Sequence, residues 1–172
     1  AADVDKRQEW CMGPPATVFT RTRTALVDIE SEDTGVAVIT FKSGALGVVE
    51  ATTATRPVDL EGSLSLLGAD GNVEIGGFAV NRMRQWNFTE SLPGDAEVLE
   101  KYSENPPNVY GFGHVAYLRH VVDVLSNGAQ SLVDGSEGRK SLELIHAIYQ
   151  SAETGTEITI GPESHSEKLG RK

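Results

Sequence analysis

The sequence predicts an α+β fold: a largely antiparallel meander sheet with helices packed on one face and the other face left open. Two observations carry this. The first two thirds of the 172 residues hold short runs rich in β-branched and aromatic residues, separated by glycine turns. The last third holds two stretches whose apolar residues recur at helical spacing.

Thr17 to Ile29 reads as a long extended run closed by the acidic turn Glu30-Ser-Glu-Asp33. Val36 to Phe41 is a second strand, and Ser43-Gly44 turns the chain so that Leu46 to Thr55 pairs back as a hairpin. Pro57 lacks an N–H to donate and suits a strand end. Ser63 to Leu67, Val73 to Ile75 and Phe78 to Trp86 continue the meander through the turns Gly68-Ala-Asp-Gly71 and Gly76-Gly77. These connections are too short for crossover helices, which makes the pairing antiparallel.

Residues 87–109, framed by Pro93-Gly94 and Pro106-Pro107, read as an irregular acidic loop. Val115, Leu118, Val122 and Leu125 mark a helix that stops at Asn127-Gly128. Leu142, Ile145, Ile148, Tyr149 and Ala152 mark a second, opened by a capping box at Asp134 and Glu137 and closed by Gly155. Thr156 to Ile160 is a last short strand, and the polar tail from Gly161 is expected to fray. The division expected is a leading remnant of a helix over 1–14, one domain over 15–160 and a tail over 161–172.

Composition excludes several classes. A net charge of −10 with a pI near 4.8 opposes nucleic acid and anionic membrane as partners. No apolar run reaches membrane-spanning length. Cys11 is the only cysteine, which fits a reducing compartment and a cytoplasmic location.

The short motifs carry little chemistry. Gly111-Phe-Gly-His-Val-Ala116 matches a dinucleotide-binding pattern, but Asn105-Pro-Pro-Asn108 stands before it where a buried strand is needed. Gly135 to Ser141 lacks the Gly-Lys-Ser/Thr core of a phosphate loop. Glu143 and His146 have the spacing of a di-metal carboxylate helix without the partner helices such a site needs, so no metal is expected. Cys11 has no base partner. The remaining candidates for ligand contact are Arg56, Tyr110 and His114, with Glu50 as a strand-face carboxylate. Tyr110 and His114 sit where the irregular loop enters a helix, whose N-terminus favours an anionic group.

The order of longer motifs is more specific: Trp10-Cys-Met-Gly-Pro-Pro15, Glu32-Asp-Thr-Gly-Val-Ala-Val-Ile-Thr-Phe-Lys-Ser-Gly-Ala-Leu-Gly47, Gly68-Ala-Asp-Gly71, Val109-Tyr-Gly-Phe-Gly-His114, Val133-Asp-Gly-Ser-Glu-Gly-Arg-Lys-Ser-Leu-Glu-Leu144 and Tyr149. This order resembles the C-terminal domain of the Gfo/Idh/MocA oxidoreductases. Within that family it looks most like the dehydrogenases of UDP-N-acetylglucosaminuronate-type sugars. The resemblance implies a parent enzyme in which an N-terminal Rossmann domain holds NAD or NADP. This domain would line a sugar or nucleotide-sugar pocket, cover the nicotinamide and form a homo-oligomer through its open sheet face, where Val36, Val38, Val48 and Phe78 are candidates.

The chain departs from the family pattern at its start. In the family's G-x-H-x-x-D-x-x-x-W helix, the aspartate position before Trp10 holds Lys6 and the histidine position holds Asp3. No catalytic residue, no cofactor-binding residue and no Rossmann lysine is therefore assigned to this chain. The expectation is a substrate-binding and oligomerisation domain that is inactive alone. The alternative is a stand-alone binding or dimerisation module of the same fold.

Overall fold

A computed structural model describes residues 10–106 and 111–171. Among the described residues the main elements follow in the order β1 (Pro15–Arg23), β2 (Thr34–Phe41), β3 (Leu46–Thr52), β4 (Leu64–Leu67), β5 (Gly71–Gly76), β6 (Arg82–Phe88), α1 (Asp95–Lys101), α2 (Gly113–Asn127), α3 (Gly135–Thr154) and β7 (Ile158–Thr159). All recorded strand pairs are antiparallel, and helices accompany them, as the α+β reading requires. The strands form two sheets, not one meander, and the described residues divide into two compact units. The break falls after β3, where residues 53–63 form no strand and Pro57 interrupts the donors.

The first unit contains the described residues up to Arg56 and from Val133 onward. Its sheet has the order β3-β2-β1-β7. Pairing register sorts the side chains into rows. Val18 lies opposite Ile39, and Thr20 opposite Ala37, which lies opposite Val49. These rows face α3, and Val18, Ala37, Ile39, Phe41 and Val49 pack with Leu144 and Ala147 as one buried cluster. The alternate rows, Phe19–Val38–Val48 and Arg21–Val36–Glu50, lie on the other face. There Val36, Val38, Leu46 and Val48 are all exposed.

Helix α3 forms where the sequence places it. The Asp134 carboxylate accepts the N–H groups of Ser136 and Glu137, and Gly155 closes the helix in the left-handed conformation. Glu137 pairs with Lys140 one turn on instead of completing the capping box. Gly44, at φ 89, lets the β2–β3 turn close with its N–H donating to the Phe41 carbonyl.

One contact joins helix to sheet at the point where pairing runs out. β7 spans two residues and pairs only with Thr17 and Val18. Beyond it the Thr20 N–H has no strand partner on that edge. The Ser151 hydroxyl oxygen accepts it at 2.9 Å and donates its own proton to the Thr156 carbonyl at 2.6 Å. Ser151 is 0% exposed, so nothing in solvent can replace it.

Several expectations change. The strand read over Phe78–Trp86 is β6, Arg82–Phe88, and Phe78 falls in the second unit, outside the β3-β2-β1-β7 sheet. β1 ends at Arg23, not Ile29, because the Asp33 carboxylate captures the next N–H groups, those of Ala25, Leu26 and Val27. The tail from Gly161 does not fray. It lies along α3, with Ser166 only 3% exposed.

The second unit, Pro57 to Leu132, holds the sheet β4-β5-β6 with α1 and α2. α1 lies within the segment expected to be irregular. Its first residue, Asp95, accepts the Trp86 indole N–H at 2.9 Å and the Leu92 N–H, and Gly94 at the N-cap offers no side-chain cap. At seven residues it is too short to show an apolar stripe. None of the residues of α2 is buried.

Replacing Ser151 with alanine leaves the Thr20 N–H buried without an acceptor. Denaturant unfolding of Ser151→Ala should show a loss of about 1–3 kcal/mol. A change within error would show that α3 and β1 do not depend on this contact.

Candidate functional site

The first unit contains a cleft of about 410 Å³ between its sheet and α3. Thr20, Thr22, Thr52 and Thr53 supply hydroxyls from the strands and their ends, and Ile145, Ile148 and Tyr149 supply the helical wall. Glu32 and Asp33 come from the loop after β1. Sequence reasoning did not find this cleft. Threonines at alternate positions of β1 read as an ordinary strand face, and only the register with β2 and the position of α3 brings them together.

The two carboxylates differ in role. Asp33 accepts three backbone N–H groups on one oxygen, at 2.6–3.0 Å, and is 2% exposed. The Leu26 and Val27 N–H groups hold its carboxyl down to about 2, with smaller help from Ala25 and the Thr34 hydroxyl. It is a fixed anion that shapes the loop, not a proton carrier near neutral pH. Glu32 accepts the Tyr149 hydroxyl at 2.7 Å through one oxygen. Burial, then that hydrogen bond, pushes the Tyr149 phenol up to about 12, so it stays protonated and acts as a donor. The Thr20 hydroxyl oxygen is buried without a hydrogen-bond partner. The arrangement can bind and orient a hydroxylated ligand.

The candidates named from sequence are placed as follows. Arg56 stands exposed beyond β3, one guanidinium nitrogen donating to the Thr55 carbonyl at 2.7 Å. Glu50 lies on the uncovered sheet face at the end of the row shared with Val36 and Arg21. Both belong to the first unit. His114 belongs to the second, exposed in the first turn of α2, whose N-terminus has no side-chain cap. Tyr110 lies outside the described residues, as do Asp3 and Lys6. Among the described residues no group of three or more His, Cys, Asp or Glu is placed to hold a metal ion. No helix among them is long and apolar enough to cross a membrane.

Gly113 opens α2 with Phe112 at its N-cap, and residues 103–106 carry no regular structure.

Comparison with known proteins supplies the family. Residues 6–160 match the family described as the oxidoreductase family, C-terminal alpha/beta domain. The chain belongs to the Gfo/Idh/MocA oxidoreductases, as their C-terminal domain. It is similar to the WlbA dehydrogenase of Bordetella pertussis, solved in complex with NADH and UDP-GlcNAcA. That similarity is 38% identity over 94% of this chain and 46% of that one, with a TM-score of 0.86. The WlbA dehydrogenase of Chromobacterium violaceum, solved with the same two ligands, is 37% identical over 92% of this chain and 44% of that one, with a TM-score of 0.81. A curated relative, D-apiose dehydrogenase of Rhizobium rhizogenes, is 23% identical over 87% of this chain and 44% of its own length. The chain thus spans about half the length of the relatives it matches.

The Asp33 contacts have a definite pH signature. Its folded value lies below the ordinary carboxylate value of about 3.9, so the stability it contributes is present above that value and lost as pH falls toward 2. Asp33→Asn should lower the thermal midpoint near neutral pH, and the gap from the parent should narrow as acid is added. Melts followed by circular dichroism check this. A gap that stays constant down to the acid limit would assign the loss to something other than the charge.

Proposed function

We propose that this chain is the substrate-binding and assembly domain of an NAD(P)-dependent sugar oxidoreductase whose substrate is a nucleotide sugar of the UDP-N-acetylglucosaminuronate kind. The similarity to two WlbA dehydrogenases solved with NADH and UDP-GlcNAcA carries this reading, at 38% and 37% identity over nearly the whole chain. The cofactor's binding residues are proposed to lie in a further domain of the parent protein, and the chain by itself is proposed to be inactive. The sequence Asn105-Pro-Pro-Asn108, standing before Gly111 where a dinucleotide motif needs a buried strand, supports that division.

Arg56, Tyr110 and His114 are proposed as substrate contacts. An exposed guanidinium suits a phosphate or carboxylate, and an uncapped helix start beside His114 favours negative charge. The domain is further proposed to span 15–160 and to pair with a second copy through the uncovered face of the β3-β2-β1-β7 sheet. Two features support the pairing. Val36, Val38 and Val48 are large apolar side chains left exposed on one face. The row Arg21–Val36–Glu50 carries a positive and a negative end around an apolar centre, which is self-complementary under two-fold symmetry.

The test uses the parent enzyme and this chain side by side. NADH titrated calorimetrically into the chain alone should show no micromolar binding, and such binding would overturn the division of labour. In the parent, with NAD reduction followed in the presence of UDP-GlcNAcA, Arg56→Ala should raise KM about ten- to a hundredfold, as expected for loss of a charge-assisted hydrogen bond. An unchanged KM would remove Arg56 from the site.

A further inference from the structure

The floor of the cleft in the first unit runs along three successive rows of the sheet. They are Thr20–Ala37–Val49, then Thr22–Gly35–Ala51, then Asp33 beside Thr53. Two residues of strand rise separate neighbouring rows, so the Thr20 and Asp33 ends lie about 13 Å apart. The middle row is hollow. A glycine within a strand costs conformational entropy and gives the sheet no side chain to pack. Yet a Cβ on Gly35 would meet only the Thr22 Cγ2, at 3.5 Å, which is an ordinary contact. Gly35 is also absent from the glycines with positive φ. The strand's own geometry and packing therefore give no reason for glycine there, and close approach of a guest does.

Both ends of the floor carry polar atoms that the chain leaves unsatisfied. Thr20 Oγ1, Glu32 Oε2 and Asp33 Oδ1 are buried without a hydrogen-bond partner. Thr20 is 1% exposed and Asp33 2%. A buried oxygen in that state is costly until a donor reaches it. Charge is unmatched as well. No Lys, Arg or His lines the cleft, and among the described residues neither carboxylate has an ion pair.

We propose that this cleft is a binding site for a small hydroxylated amine. Its ammonium group would lie at the Glu32–Asp33 end, its hydroxyls along the threonines and its carbon skeleton against Ile145 and Ile148 of α3. This ligand is opposite in charge to the nucleotide sugar proposed above, whose phosphates and carboxylate the two carboxylates of the cleft repel. A bare metal ion reaches one end only, since the unsatisfied oxygens are spread over about 13 Å. A neutral polyol supplies hydrogen bonds but leaves the carboxylates without a counter-charge. An ammonium group brings the charge and three donors, and hydroxyls on the same molecule reach Thr20 and Thr22. Thr20 has staggered rotamers to choose from and the Glu32 carboxylate a broad terminal torsion, so both can turn onto a guest. A volume of about 410 Å³ suits a molecule of monosaccharide size.

Glucosamine in its protonated form and glucose are matched probes, alike in size and differing in charge. Each is titrated into the full chain while backbone amides are followed by NMR. Glucosamine should shift the Thr20, Thr22 and Gly35 amides saturably, with a Kd at least about tenfold below that of glucose. Glu32→Gln keeps an acceptor for the Tyr149 hydroxyl and removes the charge, and should bring glucosamine to the affinity of glucose. Gly35→Val fills the middle row and should abolish binding of both probes. The proposal is overturned if glucosamine leaves these amides unmoved, if glucose binds as tightly, or if Glu32→Gln binds glucosamine as the parent does. It is equally overturned if UDP-GlcNAcA displaces glucosamine from the cleft. Should Gly35→Val fail to fold, the comparison of Glu32→Gln with the parent decides.

Discussion

The first unit turns on the hydroxyl of Ser151. A two-residue β7 leaves β1 with an unpaired edge, and a buried unpaired N–H is among the costlier defects a core can carry. Ser151 meets the Thr20 N–H and, through its proton, fixes the turn from α3 into β7. This group ties α3 to the edge of β1 beside the buried cluster. Leu144 and Ala147 are then seated on Val18, Ala37 and Ile39, and Tyr149 reaches Glu32. The cleft, the docked tail and the choice of which sheet face is covered all follow from where that helix sits.

The strand pattern, the two long helices, the Asp134 cap and the Gly155 stop were legible because each depends on local chemistry. What was not legible depends on groups distant in sequence or on side chains acting against propensity. Thr24 to Ile29 carries a good extended pattern, yet a carboxylate up to eight residues away takes its N–H groups. α1 has no stripe to show, and its first residue is held by an indole N–H nine residues back. The tail is polar enough to read as frayed, and it is held by His146, Gln150 and Glu153, 13 to 20 residues away. The cleft was missed for the same reason: Thr20 and Tyr149 meet through packing, not spacing.

The motif order pointed to the family, and the match over residues 6–160 establishes it. In the first unit the described residues provide a hydroxyl-lined cleft, a fixed anion at Asp33 and a phenol that stays protonated. The sheet is covered on one side by α3 and leaves Val36, Val38 and Val48 exposed on the other.

The proposed pairing of two copies through the uncovered face is the central claim, and mass in solution tests it most directly. Light scattering on the chain at high micromolar concentration should give a mass above the 18.4 kDa of one chain, and Val38→Glu, at the centre of the uncovered face, should return it to that value. A parent chain that remains a strict monomer, or an oligomer indifferent to Val38→Glu, would contradict it.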